Sequence, residues 1–255
     1  MVQLVFILLP VILTLSGGTC ETSASGRIYG GYLANIEKFP YIVSLQTKHE
    51  NQRPHFCGGA IITSRFVITA AHCVDKITKE KLRIKAGTTY LKKRGITSQI
   101  DRIIIHPKWN GHYFDFALLK LHKPLIFSDR IRNVKLPPYL TEVPIKLGTA
   151  TGWGLTNNPK DDLDFLRAVD LKVVEDCLKA KKSKYLPAES EFCAEHRYGI
   201  GDTCSNDSGG PFVIDGVLYG ITSHGNGTFC QMADTGVYAK VPFVMNWIMK
   251  NIRQS

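Results

Sequence analysis

Short apolar runs, separated by glycine, proline, asparagine or aspartate, recur along most of this chain. Examples are "YIVSLQ" from Tyr41, "GAIITSRFVITA" from Gly59, "RIIIH" from Arg102 and "GVLYGITS" from Gly216. Short runs that are rich in β-branched and aromatic residues and lie between turn-forming residues are typical of β-strands. Many short strands in one chain predict an antiparallel β fold, either a sandwich or a barrel.

The length of the chain and its last residues refine this expectation. With 255 residues, of which 44% are hydrophobic, the chain can bury a large core as one domain or as two fused smaller ones. One stretch, "VPFVMNWIMKNIRQS", has a strong helical pattern: Val244, Ile248 and Ile252 share a face beside Phe243 and Trp247, after a proline suited to a helix start. We expect this helix to pack its apolar side on the body of the protein.

The first residues predict export from the cell. Residues 4–15 are almost wholly apolar and give way to the small residues of "SGGTC". The run is too short to span a bilayer and is typical of the core of a signal peptide, and no later apolar run could anchor the chain. We therefore expect residues 1–18 to be a signal peptide and the mature protein to be secreted, without a membrane partner.

An exported chain is expected to oxidise its cysteines to disulfides. The chain has seven cysteines, of which Cys20 lies at the edge of the signal peptide. The remaining six allow fifteen pairings, so spacing alone does not choose among them. None of them has the spacing of a zinc site and the eight histidines are scattered, so neither a metal nor a cofactor is expected.

The chain is basic, with 32 Lys and Arg against 22 Asp and Glu and a net charge of +10. The basic residues form separate clusters: "KITKEKLRIK" from Lys76, "KKR" from Lys92 and "KAKKSK" from Lys179. No aromatic residues interleave with them to stack on bases, and no nucleic-acid-binding motif is present, so no nucleic-acid partner is expected. We interpret the clusters as solvated loops in preference to a dedicated polyanion site.

Three stretches carry residues that are suited to nucleophilic catalysis. "VITAAHC" contains His72 after an apolar run, "YFDFALLKL" contains Asp115 at the head of another, and "GDTCSNDSGGP" contains Ser208 beside two glycines. A serine becomes a nucleophile when a base takes its proton and a third group holds that base in the right tautomer. Each residue alone has an ordinary structural explanation, but the three together predict a Ser-His-Asp triad.

With these residues the chain resembles the chymotrypsin family of trypsin-like serine proteases from Ile28 to its end. Further matching stretches are "RIYGG", "CGGAII", "TGWG" and "TGVYAKV". The resemblance implies an all-β fold of two packed six-stranded antiparallel β-barrels with a C-terminal helix, in which the barrels cover roughly residues 28–138 and 139–255. It also implies a monomeric endopeptidase that acts on proteins or peptides and could meet protein inhibitors.

The resemblance gives a role to each catalytic candidate. Ser208 would attack the scissile carbonyl, His72 would transfer its proton, and Asp115 would orient His72. The backbone N–H groups of Asn206 and Ser208 would form the oxyanion hole. Ser223 matches the serine that hydrogen-bonds the buried aspartate.

The resemblance also implies a substrate pocket and its specificity. Asp202 would lie at the base of the pocket, where a desolvated carboxylate favours Arg or Lys before the cut bond. The implied substrate-binding residues are Asp202, Thr203, Ser223, His224, Gly225 and Gly236.

Three disulfides follow from the same resemblance. Many vertebrate trypsins carry a further bridge where this chain has Gly148 and Ile214, so both partners of that bridge are missing together. The implied pairs are Cys57 with Cys73, Cys177 with Cys193, and Cys204 with Cys230.

The expected activation step lies at the start of the matched region. Residues 19–27 would be a pro-segment, and an activating trypsin-like protease would cut after Arg27. The new amine of Ile28 could then pair with Asp207, because a buried carboxylate without a partner is costly. Before that cut the chain would be an inactive zymogen.

Two residues depart from the family pattern. Asn206 stands where the family has a glycine that supplies an oxyanion donor, which leaves open an alternative: a protease-like binding or regulatory protein with weak catalysis. His224 stands where trypsins carry a tryptophan, so substrate binding could depend on pH.

The loop 86–99 contains no carboxylate, so the calcium site of vertebrate trypsins is not expected. Asn226 begins a glycosylation sequon.

Overall fold

The computed structural model describes residues 31–47, 54–156, 160–177, 189–196, 202–225 and 235–254. Over these ranges the chain forms two antiparallel β-barrels and, at its end, an α-helix. The predicted signal peptide, residues 1–18, and the predicted pro-segment, residues 19–27, lie outside the described residues. The helical segments of the described ranges are too short and too polar to cross a membrane.

The first barrel uses six strands that lie in the first half of the chain. They are β2 (Ile42–Thr47), β3 (His55–Ile61), β4 (Phe66–Thr69), β5 (Leu82–Ala86), β6 (Ile96–Ile105) and β7 (Ala117–Leu121). These strands close in the order β2-β3-β4-β7-β6-β5, and β5 pairs back onto β2 through the partners Val43 and Ala86.

The second barrel repeats this arrangement in the second half. Its strands are β8 (Leu147–Gly152), β9 (Arg167–Val174), β10 (Glu191–Glu195), β11 (Pro211–Ile214), β12 (Val217–Gly225) and β13 (Gly236–Lys240). They run in the order β9-β10-β13-β12-β11-β8, and the pairing of β8 with β9 closes the ring. A short additional strand, β1 (Tyr32–Leu33), pairs with β9 at Arg167 and Ala168. The prediction of two six-stranded antiparallel barrels is confirmed, and β1 adds a strand that it did not include.

Each barrel fills its interior with apolar side chains. The second is centred on an aromatic cluster of Phe192, Phe212 and Tyr238, whose ring centroids lie 4.7–5.5 Å apart. Rings at these distances pack closely and contribute beyond the area they bury. The core of the first barrel continues without a break into residues of the second, such as Leu218 and Ile221, so the barrels share a packed interface.

The chain ends as the sequence pattern predicts. Residues Val241–Val244 form a 3₁₀ turn that contains Pro242, and α1 (Met245–Arg253) follows it. Val244 and Ile248 are buried against the shared core. The predicted terminal helix is therefore confirmed, and its first turn is wound more tightly than an α-helix.

Two of the expected disulfides lie within the described residues. Cys57 is joined to Cys73 and Cys177 to Cys193, which confirms both pairs. Cys204 is also disulfide-bonded, but its expected partner, Cys230, lies outside the described residues.

The two positions that lack the cysteines of the further bridge, Gly148 and Ile214, are close together in the structure. A Cβ added at Gly148 would lie 2.9 Å from the side chain of Ile214, so the two positions face each other on neighbouring strands of the second barrel.

Candidate active site

The imidazole of His72 is held by a single carboxylate. His72 lies in the 3₁₀ turn Ala71–Cys73 that follows β4, and its backbone N–H donates to Asp115 Oδ1 over 2.9 Å. Its ring Nδ1 lies 2.7 Å from Asp115 Oδ2. Because a carboxylate only accepts hydrogen bonds, this contact favours the tautomer with the proton on Nδ1. The Nε2 atom is then left with a lone pair that can accept a proton.

Asp115 is buried, with 2% of its surface exposed, and it remains ionised because of its partners. Burial by itself would raise its pKa, but hydrogen bonds from His72 and Ser223, together with the charge of His72, hold the pKa of Asp115 below its ordinary value. The Ser223 hydroxyl donates to Asp115 Oδ2 over 2.6 Å. A buried carboxylate with three hydrogen-bond donors is a stable anchor for the imidazole.

A disulfide and a backbone bond bring the serine segment to the histidine. Cys73, next to His72, is bonded to Cys57 on β3. The N–H of the following residue, Gly58, donates to the carbonyl of Ser208 over 2.8 Å. These links connect the first barrel, which carries His72 and Asp115, to the segment of the second that carries Ser208.

The turn around Ser208 depends on the glycine after it. Gly209 has a φ of 78°, and a Cβ there would lie 2.6 Å from the carbonyl oxygen of Gly58, which is an impossible approach. Gly209 also donates its N–H to the carbonyl of Thr222 over 2.7 Å. The tight turn therefore fixes the backbone that presents the Ser208 hydroxyl.

The reacting atoms of Ser208 and His72 are not hydrogen-bonded to each other within the described residues. The Nε2 atom of His72 instead lies 3.7 Å from Cys73 Sγ. In sites without substrate, such bonds are often long and tighten when substrate binds. The sulfurs of Cys57 and Cys73 lie near the ring, but their disulfide removes the thiolates that a metal would need.

Asn206 adopts the backbone conformation of a glycine. Its φ is 73°, in the left-handed region that glycine occupies freely and asparagine tolerates better than most residues. The intervening N–H of Asp207 donates to the carbonyl of Cys204 over 2.9 Å. The backbone N–H groups of Asn206 and Ser208 donate to no acceptor in the described part of the chain, so both are available to an oxyanion.

Asp207 lies in a pocket that only glycines leave open. It is 1% exposed, and its carboxylate accepts the N–H groups of Gly154 (2.8 Å) and Cys204 (3.0 Å). A Cβ at either Gly152 or Gly154 would collide with the carboxylate. The stretch "TGWG" was recognised in the sequence, but the spacing of its glycines did not reveal this pocket. Arg27 and Ile28 lie outside the described residues.

Asp202 is buried in a position that suits a pocket floor. It is 5% exposed, and its Oδ1 accepts the backbone N–H of Thr203 over 2.6 Å. A Cβ at Gly236 would lie 2.8 Å from this oxygen, whereas a Cβ at Gly225 would meet nothing within 4 Å. Burial, followed by the nearby charge of Asp202, raises the pKa of Tyr238. Residues 226–234, which include Asn226 and Cys230, lie outside the described residues.

His224 lies beside the catalytic candidates and has a neighbour that the sequence did not indicate. Its Nδ1 lies 3.1 Å from the Ser223 hydroxyl, which already donates to Asp115 and so accepts from His224. Its ring centroid lies 6.2 Å from that of His112. Burial lowers the pKa of His224, and the positive forms of His112 and His72 add to this effect against the attraction of Glu191 and Asp115. His112 is far from His224 in the chain, so only the fold brings the two together.

Comparisons with known proteins identify the family of the chain. The family model described as Trypsin matches residues 28–248. The chain is 36% identical to "Trypsin 5G1" of Aedes aegypti over 232 residues, which covers 88% of this chain and 85% of that protein. It is 35% identical to "Hypodermin-B" of Hypoderma lineatum, with 89% and 88% covered, and 33% identical to "Trypsin" of Simulium vittatum, with 88% and 92% covered. The chain therefore belongs to the trypsin family of serine proteases.

Proposed function

We propose that this protein is a secreted, trypsin-like serine endopeptidase, made as a zymogen and specific for Arg or Lys before the cut bond. The observation that carries the proposal is the pair of hydrogen bonds between Asp115 and His72. One oxygen of the buried carboxylate holds the imidazole Nδ1 at 2.7 Å, the other accepts the backbone N–H of His72 at 2.9 Å, and the Ser223 hydroxyl completes the network. An ordinary structural histidine does not need its ring and its backbone fixed to one buried charge.

Peptide hydrolysis would proceed through an acyl-enzyme. Ser208 Oγ attacks the scissile carbonyl carbon as its proton passes to His72 Nε2, and Asp115 stabilises the imidazolium that forms. His72 then gives the proton to the leaving amine, and the carbon–nitrogen bond breaks. In the second half water attacks the acyl carbon as His72 takes its proton, and the ester bond to Ser208 Oγ breaks as His72 returns that proton to Ser208.

The oxyanion hole would be formed by the N–H groups of Asn206 and Ser208. The left-handed φ of Asn206 supports this role, because the direction of an N–H depends on backbone angles and not on the side chain. Two aimed donors stabilise the tetrahedral intermediate more than the planar substrate. We therefore favour an active enzyme over the protease-like binding protein.

The proposed specificity rests on Asp202. Its buried carboxylate would pair with the guanidinium or ammonium of the substrate, whereas an uncharged side chain would leave a buried charge without a cation, at a cost of several kcal/mol. Thr203, whose N–H already binds Asp202, would line the same floor.

The proposed activation rests on Asp207. Cleavage after Arg27 by another trypsin-like protease would create an ammonium on Ile28 that could pair with the buried Asp207 carboxylate. Pairing a buried carboxylate with this ammonium would stabilise the segment that also carries Asn206 and Ser208. Activity would therefore depend on the cut. Besides its substrates and this activator, the enzyme could meet protein inhibitors, and we propose that it acts as a monomer.

The test uses full-length chain activated by immobilised trypsin, which is then removed. We expect turnover of peptide p-nitroanilides that end in Arg or Lys, no turnover by Ser208→Ala, and no activation of Arg27→Gln. Asp202→Asn, a matched variant of nearly the same shape, should lose the Arg and Lys preference but still react with a fluorophosphonate at Ser208. Failure of the cleaved native chain to react with the fluorophosphonate would favour the binding-protein alternative.

A further inference from the structure

The net positive charge of the protein is concentrated in its first half. Residues 28–138 carry nineteen basic and seven acidic residues, whereas residues 139–255 carry twelve basic and fourteen acidic ones. The first barrel is thus strongly cationic and the second is slightly anionic. A separation of this kind directs the electrostatic field of the molecule and favours a particular approach for a charged partner.

The fold joins two basic clusters that are separate in the sequence. Strands β5 and β6 form a hairpin in which Lys85 pairs with Thr97 and Ala86 with Ile96. The Lys85 ammonium donates to the carbonyls of Leu91 (2.6 Å) and Lys93 (2.8 Å) and ties down the loop that connects the strands. The cluster that begins at Lys76 and the cluster at 92–94 therefore belong to one surface, residues 76–102, which we call the basic hairpin.

Cations stand at both ends of this hairpin. The 3₁₀ turn Lys79–Lys81 precedes β5, and the loop with residues 92–94 follows it. The five residues of β5 separate the two groups by about 17 Å at 3.3 Å per residue. The exposed cations of the hairpin are Lys76, Lys79, Lys81, Lys92, Lys93, Arg94 and Arg102.

The hairpin itself holds few acidic groups that neutralise these cations, and the carboxylates that approach it from outside, Asp162 and Asp164, act on Lys92. The hairpin contains nine basic residues against two acidic ones, Glu80 and Asp101. Asp101 lies 3.7 Å from Lys120 Nζ, and Lys92 pairs with Asp164 over 2.8 Å. Lys120 is also the strand partner of Arg102, so β7 adds another cation beside the hairpin.

The sequence alone favours solvated loops, but because the fold joins two of the clusters in one hairpin we infer that the basic hairpin is a binding surface for a linear sulfated polysaccharide. Ammonium and guanidinium groups distributed along an extended hairpin fit a chain with closely spaced anionic groups. The aromatic ring of the hairpin, Tyr90, packs on the ring of Phe165 with centroids 4.7 Å apart, and its hydroxyl donates to Asp162. These contacts occupy the ring, so it does not offer a surface on which nucleic-acid bases could stack. Ile96 is its one exposed large apolar side chain, which is too little to insert into a lipid surface.

The test compares two triple variants of full-length Ser208→Ala, which cannot digest itself. Lys81→Gln/Lys93→Gln/Arg94→Gln removes three charges from the hairpin. The matched control, Lys172→Gln/Lys250→Gln/Arg253→Gln, removes three exposed charges from the second barrel and α1. Affinity for heparin, for fully desulfated heparin and for duplex DNA is measured between about 0.05 and 0.3 M NaCl, and thermal unfolding checks that each variant is folded.

We expect the parent to prefer heparin to both other ligands. The hairpin variant should bind heparin at least tenfold more weakly, and its log Kd should depend on log salt with a slope smaller by about two to three, because released counterions scale with lost contacts. The control should change less than about threefold. Equal losses in both variants, undiminished binding of desulfated heparin, or no heparin binding by the parent at about 0.15 M NaCl would overturn the inference, and tighter binding of DNA would replace the polysaccharide with a nucleic acid.

Discussion

Replacing Asn206 with glycine tests the unusual oxyanion segment directly. At a φ of 73° asparagine, which tolerates this region better than alanine does, carries a strain of about 1 kcal/mol, and glycine carries none. The greater conformational freedom of glycine in the unfolded chain lowers the free energy of unfolding by about 0.5 kcal/mol. Asn206→Gly should therefore raise the free energy of unfolding by about 0.5 kcal/mol, or the midpoint by about 1–2 °C for a protein of this size.

The catalytic effect of the same change should be small. Because the backbone at Asn206 already has the glycine conformation, its N–H keeps its direction, and we expect kcat on an Arg p-nitroanilide to change less than about fivefold. A mis-aimed donor would cost about 100 to 1,000-fold, so glycine would restore that factor. Active-site titration supplies the enzyme concentration, and Asn206→Ala is the control, expected to lose about 1 kcal/mol of stability at similar kcat. A rise of kcat above about 100-fold in the glycine variant would refute this reasoning.

Three further changes probe the surroundings of the site. Ser223→Ala removes a 2.6 Å bond to the buried Asp115 and should cost about 1.5–3 kcal/mol in urea unfolding at pH 7. Burial lowers the pKa of His106 to about 4, and the positive charge of Lys108 adds to this effect. Because the unfolded histidine binds a proton at a higher pH than the folded one, the free energy of unfolding should fall by about 2.5 kcal/mol between pH 6.5 and 4, and unfolding curves of His106→Asn should lack this loss. Gly154→Ala places a Cβ against the Asp207 carboxylate and should cost about 1–3 kcal/mol, with little turnover after cleavage at residue 27.

The strands could be predicted from the sequence more easily than their closure. The run from Tyr41 became β2 and the run from Gly216 became β12. Most of β2, β3 and β4 is buried on both faces, so the alternation that distinguishes a barrel wall from other strands is weak there. Closure depends on the pairing of β5 with β2, about forty residues away, which no local pattern records. The barrel was accordingly expected from the family resemblance, and the residues alone left the sandwich open.

The candidate site divides in the same way. His72, Asp115 and Ser208 each lie in a distinctive stretch, so the sequence alone was enough to select them as catalytic candidates. The roles of Gly58 and His112 arise from approaches between distant segments: one donates to the Ser208 carbonyl and the other lies beside His224. Glycine and histidine occur throughout the chain, so their identity alone did not separate these two from the rest.

Assembly of the site and docking of the two barrels are one event. Ser223 of the second barrel donates to Asp115 beside the first, and Gly58 of the first donates to the carbonyl of Ser208 in the second. Hydrogen bonds thus cross the interface in both directions, and the hydrophobic core crosses with them. Neither barrel alone can satisfy the buried Asp115 and present Ser208 to His72, so a substitution that loosens the interface lowers stability and catalysis together. The side chains of Lys81, Lys93 and Arg94 take no part in these cross-barrel bonds, so the three can be replaced in the basic hairpin without disturbing the site.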